Sequence, residues 1–365
     1  MRKGEVLIIG GGVLGCSSAY YLSKLGMSVI LVERGAMWSE ATGATTAGIT
    51  LQNKPMDRIP FYREAADRWI VLEEELGLPV GYDRCGSVMV ADTVEQMSNF
   101  QQQLPKFRKV GLEVELLSAS ETRDMASWVT HELTGSLYCP VDGHAEPKLA
   151  PQAFAQAAKQ QGAVLLSDEK VLKIYMDSQP RFRIITSHGE IGVDKVINAA
   201  GAWAGFVANM LDISLPISFQ PLQAMVLRSS TQWLDKVVLH ASNQLTAKQI
   251  GDGSILIGGG WSAKGDVKDD TKSPDFQNRR DCLELAYATV PCLSELDLVE
   301  TWVGLEGRTS NQVPFFGEIQ SVPGFYMLAC APGGFTLSPL MGEQLAELIV
   351  EGSTSFPMTN FTRAQ

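Results

Sequence analysis

Gly10, Gly12 and Gly15 stand at G-x-G-x-x-G spacing, and Glu33 follows 18 residues after the last of them. That set could hold a dinucleotide. The first glycine permits a tight turn, the second lets backbone approach a pyrophosphate, and the third lets a helix pack closely on a strand. A helix starting in the turn offers unpaired N–H groups and partial positive charge to the phosphates. An acid near the expected spacing of roughly 20 accepts from both ribose hydroxyls and repels a 2′-phosphate, which disfavours NADP.

Glycines at this spacing also make plain turns, so the flanking elements decide. Val6–Ile9 is an apolar run long enough for a buried strand, residues 16–25 read as a helix closed by Gly26, and Val29–Val32 is a second apolar run ending at Glu33. Strand, turn, helix, strand and acid make a complete dinucleotide unit. A loop of small residues follows, RGAMWSEATGATTAGI. Linkers share that composition, but here hydroxyls and bare backbone would reach along a pyrophosphate toward a flat ring. NAD needs no such loop at this point, so the loop favours flavin.

Composition bounds the rest. The chain has 365 residues, 45% apolar and 19% charged, with a net charge of −11. Its length suggests about two domains. The acidic balance excludes nucleic acid or an anionic membrane as main partner, since both need a basic face. No apolar run is long enough for a transmembrane helix. The N-terminus carries no signal-peptide pattern, and the scattered cysteines (16, 85, 139, 282, 292, 330) fit free thiols, so we expect a cytoplasmic protein. Neither the cysteines nor His131, His144, His188 and His240 show metal spacing, so we expect no metal. Asn360-Phe361-Thr362 is a chance glycosylation triplet.

Helices are expected at 60–76, 95–110, 147–161, 276–290 and 340–350, and strands at 81–90, 162–166, 170–174, 191–198, 222–227 and Phe325–Ala329. Segment 137–144 reads as a crossing between domains, and 302–317 as irregular. Segment 245–260 is a hairpin turning at Gly251-Asp252-Gly253. After the strand around Val196, Ala199, Ala200 and Gly201 make a second small-residue turn, with Trp203 opening a helix. Pro332, Gly333 and Gly334 precede the last helix, where a glycine pair again offers an anion site, here for the charge of a reduced flavin.

End to end, the chain resembles the D-amino-acid-oxidase-like FAD oxidoreductases. These include glycine oxidase, the β subunit of sarcosine oxidase, and the β subunits of bacterial amine, hydroxyproline and opine dehydrogenases. The residues carrying the resemblance are VLIIGGGVLG, Glu33-Arg34, GATTAG, VINAAGAW, QPLQAMVL, GLEGRTSNQVPFFG and CAPGGFTLSP. It implies non-covalent FAD, since no His or Cys matches the positions that bind flavin covalently in some relatives. Gly10, Gly12, Val13, Leu14 and Gly15 would hold the pyrophosphate, Glu33 and Arg34 the adenosine, and Val171 the adenine through its backbone. Thr42, Gly43, Thr46, Ala47 and Gly48 would run toward the isoalloxazine. Ala200, Gly201 and Trp203 would sit behind the pyrophosphate, and Gly333, Gly334, Phe335 and Thr336 would meet the pyrimidine end.

The resemblance implies an α/β fold. A Rossmann-type FAD-binding domain with a parallel sheet would comprise 1–80, 145–215 and 318–365. A second α+β substrate domain on a mostly antiparallel sheet would comprise 81–144 and 216–317. The implied reaction is oxidation of the C–N bond of an amino acid or secondary amine by hydride transfer to flavin N5, giving an imine that water hydrolyses. Where glycine oxidase-like members carry an arginine for the substrate carboxylate, this chain has Glu306, with Arg308 two residues on. Glu306 would meet a substrate amine or pair with Arg308. Lys248 would line the pocket, although a strand lysine is ordinarily solvated. Two alternatives stay open: a β-type flavoprotein subunit acting only in a hetero-oligomer with an α-type electron-transfer subunit, as against a homo-oligomer, and an NAD-dependent dehydrogenase.

Overall fold

The computed structural model describes residues 1–178, 181–242, 244–329 and 333–358. Cys330, Pro332 and the Asn360 triplet lie outside them. Val6–Ile9 and Val29–Val32 are strands as the sequence suggests, buried at every position. Both faces of their sheet are covered, which is why they read as unbroken apolar runs. The sheet has six strands in the order Phe315–Glu318, Phe325–Ala329, Lys195–Asn198, Val6–Ile9, Val29–Val32, Val164–Leu166. All neighbours run parallel except the Phe315–Glu318 edge.

The helix after the first strand starts at Val13, three residues earlier than the sequence suggests, because Gly12 already caps it. It ends at Lys24, and Gly26 turns the chain at φ +83. It is buried on almost every side between helices Leu149–Gln160 and Gly334–Glu351. Small residues permit this: a Cβ on Gly342 would overlap Ser17, whose hydroxyl donates to the Ser338 carbonyl at 2.8 Å.

A four-stranded sheet (Arg2–Lys3, Gly189–Val193, Phe182–Thr186, Val171–Met176) covers the other face. Its Ile174, Phe182, Ile184 and Ile191 pack with Leu7, Ile30 and Val32. The segment expected as one strand at 191–198 is two, in different sheets, divided at Asp194.

The third sheet has eight strands, in the order Asp297–Thr309, Ile217–Arg228, Ser254–Gly258, Thr246–Gln249, Val237–His240, Ser87–Ala91, Gly135–Cys139, Glu115–Ser118. Only the pairing of Val237–His240 with Ser87–Ala91 is parallel. Helix Phe276–Thr289 packs Cys282 and Ala286 onto Met225, Ala247 and Ile257. Three sequence expectations need correction here. The strand expected at 81–90 begins only at Ser87, and the crossing at 137–144 contains strand residues up to Cys139 and again at Gly143–His144. The stretch expected to be irregular at 302–317 is mostly strand: Asp297–Thr309 pairs along the whole of Ile217–Arg228. Gly304 and Gly307 look like breaks in the sequence, but they are sites of close backbone approach within a strand.

Candidate active site

The first glycine turn is built from contacts that exclude side chains. Gly10 sits at φ +116, where a Cβ would fall on the Ala199 carbonyl, and a Cβ on Gly15 would fall on the Gly10 carbonyl. Lys195–Asn198 pairs in parallel with Val6–Ile9, so both small-residue turns open at the same carboxyl edge of the sheet, the edge where open α/β sheets bind ligands. Trp203 closes a short 3-10 turn, Gly201–Trp203, and the helix proper starts at Ala204.

Around the turn, the Glu33 carboxylate accepts from the amides of Gly11 (2.7 Å) and Gly35 (3.0 Å), while Thr42 Oγ1 accepts from the Val13 amide (3.1 Å). Among the described residues, the Gly12 and Leu14 amides have no protein acceptor. The Arg34 guanidinium lies 3.8 Å from the Trp203 ring centroid and pairs with Asp270 at 2.8 Å. Val171 is buried in the apolar layer with Ile30 and Val32.

The small-residue loop is pinned. The Trp38 amide donates to the Gly11 carbonyl (3.0 Å), and a Cβ on Gly43 would fall on the Trp38 carbonyl. Ala47, at φ +50, is buried, and its carbonyl accepts from the Ala145 amide (3.0 Å). Gly48 pairs with His144, and its carbonyl accepts from Thr336 Oγ1 at 3.1 Å. Thr336 lies in the first turn of Gly334–Glu351, which starts directly after Gly333 rather than at 340. Trp69 holds this turn: its indole donates to the Thr336 carbonyl (2.8 Å) and stacks on Phe335 at 5.4 Å.

The eight-stranded sheet meets the same loop. A Cβ on Gly258 would lie 2.8 Å from Thr46, one on Gly304 2.9 Å from Ala41 Cα, and one on Gly307 2.8 Å from the Gly201 carbonyl. Glu306 stands between these last two glycines and pairs with Arg308 Nε at 3.0 Å. Burial pushes the Glu306 carboxyl up, against the pull of Arg308 and Lys54. Lys54 was invisible to motif reasoning, because a lone lysine in LQNKP carries no pattern. It is half-buried, with Nζ 5.4 Å from the Tyr62 ring centroid.

Lys248 corrects another expectation: it is fully buried rather than solvated. Its Nζ donates to the Ala145 carbonyl, one residue from the strand pair that braces the loop. Burial pushes it down to about 7, with Glu146 and Cys85 opposing. Tertiary structure also gathers ligand atoms of Asp83, Cys85 and His144 within 4.8 Å. Asp83 and Cys85 are neighbours in sequence, but His144 comes from a distant segment, so no spacing announced the group. The described cysteines, 16, 85, 139, 282 and 292, are free thiols.

Residues 5–348 match the family described as FAD dependent oxidoreductase. The chain belongs to that family. It is 26% identical to glycine oxidase from Geobacillus kaustophilus, over 98% of this chain and 96% of that one. A crystal structure of glycine oxidase from that organism superposes with a TM-score of 0.90 at 25% identity, covering 100% of this chain and 99% of the other. Human mitochondrial sarcosine dehydrogenase is 28% identical over 95% of this chain, which spans only 40% of that protein. One of the subunits of opine oxidase from Agrobacterium tumefaciens is 26% identical over 99% of this chain and 97% of its own length. Membership removes the NAD-dependent alternative.

FAD suits the residues of this family member. The unpaired first-turn amides of Gly12 and Leu14 match a pyrophosphate, and no atom lies within 4 Å of where a Cβ on Gly201 or Gly35 would stand. Each Glu33 oxygen keeps a lone pair for a ribose hydroxyl beyond the amide it already accepts. Among the described residues, no helix is long and apolar enough to cross a membrane.

Proposed function

We propose that this chain uses non-covalently bound FAD to oxidise the C–N bond of a small amino acid or secondary amine. The single observation that carries the reading is the seating of strand Asp297–Thr309: Gly304 abuts the small-residue loop and Gly307 abuts the second glycine turn. Glu306 and Arg308 then border the space next to those segments. The names of two relatives, glycine oxidase and sarcosine dehydrogenase, support the amine class.

In this reading Gly10–Gly15 and Ala200–Trp203 hold the pyrophosphate, Glu33, Arg34 and Val171 the adenosine, and residues 42–48 with Gly333–Thr336 the ring. The sheets suggest the division of labour. Strands up to Val32, from Val164 to Asn198 and from Phe315 onward form the cofactor half, and the eight-stranded sheet forms the substrate half. FAD, when bound, supplies the hydride acceptor for the carbon bearing nitrogen. The protein orients the substrate and keeps the site dry. A neutral amine is enough for the reaction, so the pocket need only favour its deprotonation by desolvation.

A second reading, a β-type subunit that passes electrons to a partner, is supported by the full-length similarity to a component of opine oxidase. An anaerobic screen of amino acids and secondary amines, watching the visible flavin bands, tests both readings. Bleaching by a member of the panel without rapid reoxidation by O2 favours the subunit reading. No bleaching by any member would remove the amine reading.

A further inference from the structure

We propose that Lys54 is the carboxylate anchor of the substrate site, with Glu306 facing the amine end of the same molecule. The choice of an amino-acid substrate rests on the function proposed above, whereas the anion site itself does not.

Arg308, Arg58 and Lys248 are each committed to a protein partner. Arg308 is held by Glu306 at 3.0 Å. Arg58 donates to the carbonyls of Gln312 (2.7 Å) and Asn311 (2.9 Å). Lys248 Nζ donates to the Ala145 carbonyl. Lys54 differs. Among the described residues its Nζ forms no ion pair within 4.0 Å, and its ring contact is with Tyr62.

The acids that act on Lys54 are Asp142 and Glu306, and both are already engaged. Asp142 is fully buried and accepts from the Leu51 amide (2.7 Å) and from Ser87 Oγ (2.6 Å). Glu306 is taken by Arg308. Lys54 is therefore a partly desolvated amine whose charged form two nearby acids favour without closing on it. Burial pushes it below the ordinary lysine range, and Asp142 and Glu306 oppose that. Such a charge is costly unless a counterion completes it, and a substrate carboxylate would do so.

Position points the same way. The Lys54 amide donates to the Leu51 carbonyl (3.0 Å), closing a turn that fixes where the side chain leaves the backbone. Beside it is the Tyr62 ring, whose hydroxyl would lie 2.5 Å from a Cβ on Gly333, the N-cap of the last helix. Glu306, whose charge acts on Lys54, is flanked by the glycines that abut the small-residue loop and the second glycine turn. Lys54 is thus linked through Tyr62 to the helix start, and through its charge to the strand, that border the proposed ring site. A carboxylate on Lys54 with the amine toward Glu306 would give an α-amino acid a direction.

The test uses the FAD-loaded full chain and acetate as a non-reacting probe, read by perturbation of the visible flavin spectrum. Wild type should bind acetate. Lys54→Met should weaken binding at least tenfold, and Lys54→Arg should recover most of it. In the anaerobic reduction assay, Lys54→Met should raise the apparent Kd for an amino acid and leave that for the matching amine without a carboxylate unchanged. FAD content and far-UV circular dichroism check that each variant folds; if Lys54→Met does not, Lys54→Gln takes its place. Equal acetate affinity in wild type and variant, or no acetate binding to wild type, would overturn the proposal. Acetate binding that depends on Lys54, with no amine bleaching the flavin, would keep the anion site and discard amine oxidation.

Discussion

Arg308 and Lys248 show how far a side chain's role depends on what it already holds. Arg308 is tied to Glu306 with both partly exposed, a pair worth at most ~1 kcal/mol. Arg308→Ala should raise KM for a carboxylate substrate by roughly 2–5-fold, the equivalent of that energy, because the freed Glu306 charge then competes for Lys54. An unchanged KM removes Arg308 from the site. For Lys248 the sign follows from burial: its folded pKa is about 7 against an ordinary lysine value of 10.5. Between these values the unfolded chain holds a proton that the folded chain lacks, so stability rises with pH by about 1.4 kcal/mol per unit. It is lost again as pH falls toward 7. Lys248→Met should flatten this slope. Thermal unfolding from pH 7 to 9, below the range in which unfolded lysines lose their proton, measures it; an unaltered slope would show that Lys248 is charged in the folded protein.

At the level of elements, glycine marks where two backbones must touch. Helices Val13–Lys24 and Gly334–Glu351 approach closely because Gly342 has no side chain to meet Ser17. Gly342→Val should cost about 1–3 kcal/mol through overpacking. A lower unfolding temperature together with weaker FAD retention is the expected result, since both helix starts border the proposed cofactor site. Strand Asp297–Thr309 uses the same device at Gly304 and Gly307, where the contacts reach into the loop and the second turn. Local pattern reading takes those glycines for breaks, and only the pairing with Ile217–Arg228 corrects it.

Across the whole molecule, one ribbon ties the two halves. Lys264–Asp266 and Thr271–Ser273 form a two-stranded extension. Asp270 pairs with Arg34 at 2.8 Å, Lys272 with Glu40 at 2.9 Å, and the Val267 carbonyl accepts from the Trp203 indole at 3.0 Å. Exposed ion pairs of this kind weaken as salt screens them. FAD dissociation from wild type should therefore speed up with ionic strength. The double variant Asp270→Asn, Lys272→Gln should release FAD faster at low salt and respond less to added salt, as followed by flavin fluorescence. Identical salt profiles would show that the ribbon does not retain the cofactor.

The sequence by itself determined the dinucleotide unit, because its glycines, its apolar strands and Glu33 act over fewer than forty residues through local backbone sterics. It also carried the family, since the motifs keep their order along the chain. It did not determine what surrounds a charge. Whether Lys248 is solvated or buried, whether Glu306 is free or paired, and that Asp142 and Glu306 both act on Lys54 all depend on segments far apart in the chain. Burial and Coulomb interaction act through space, so only the tertiary structure decided them.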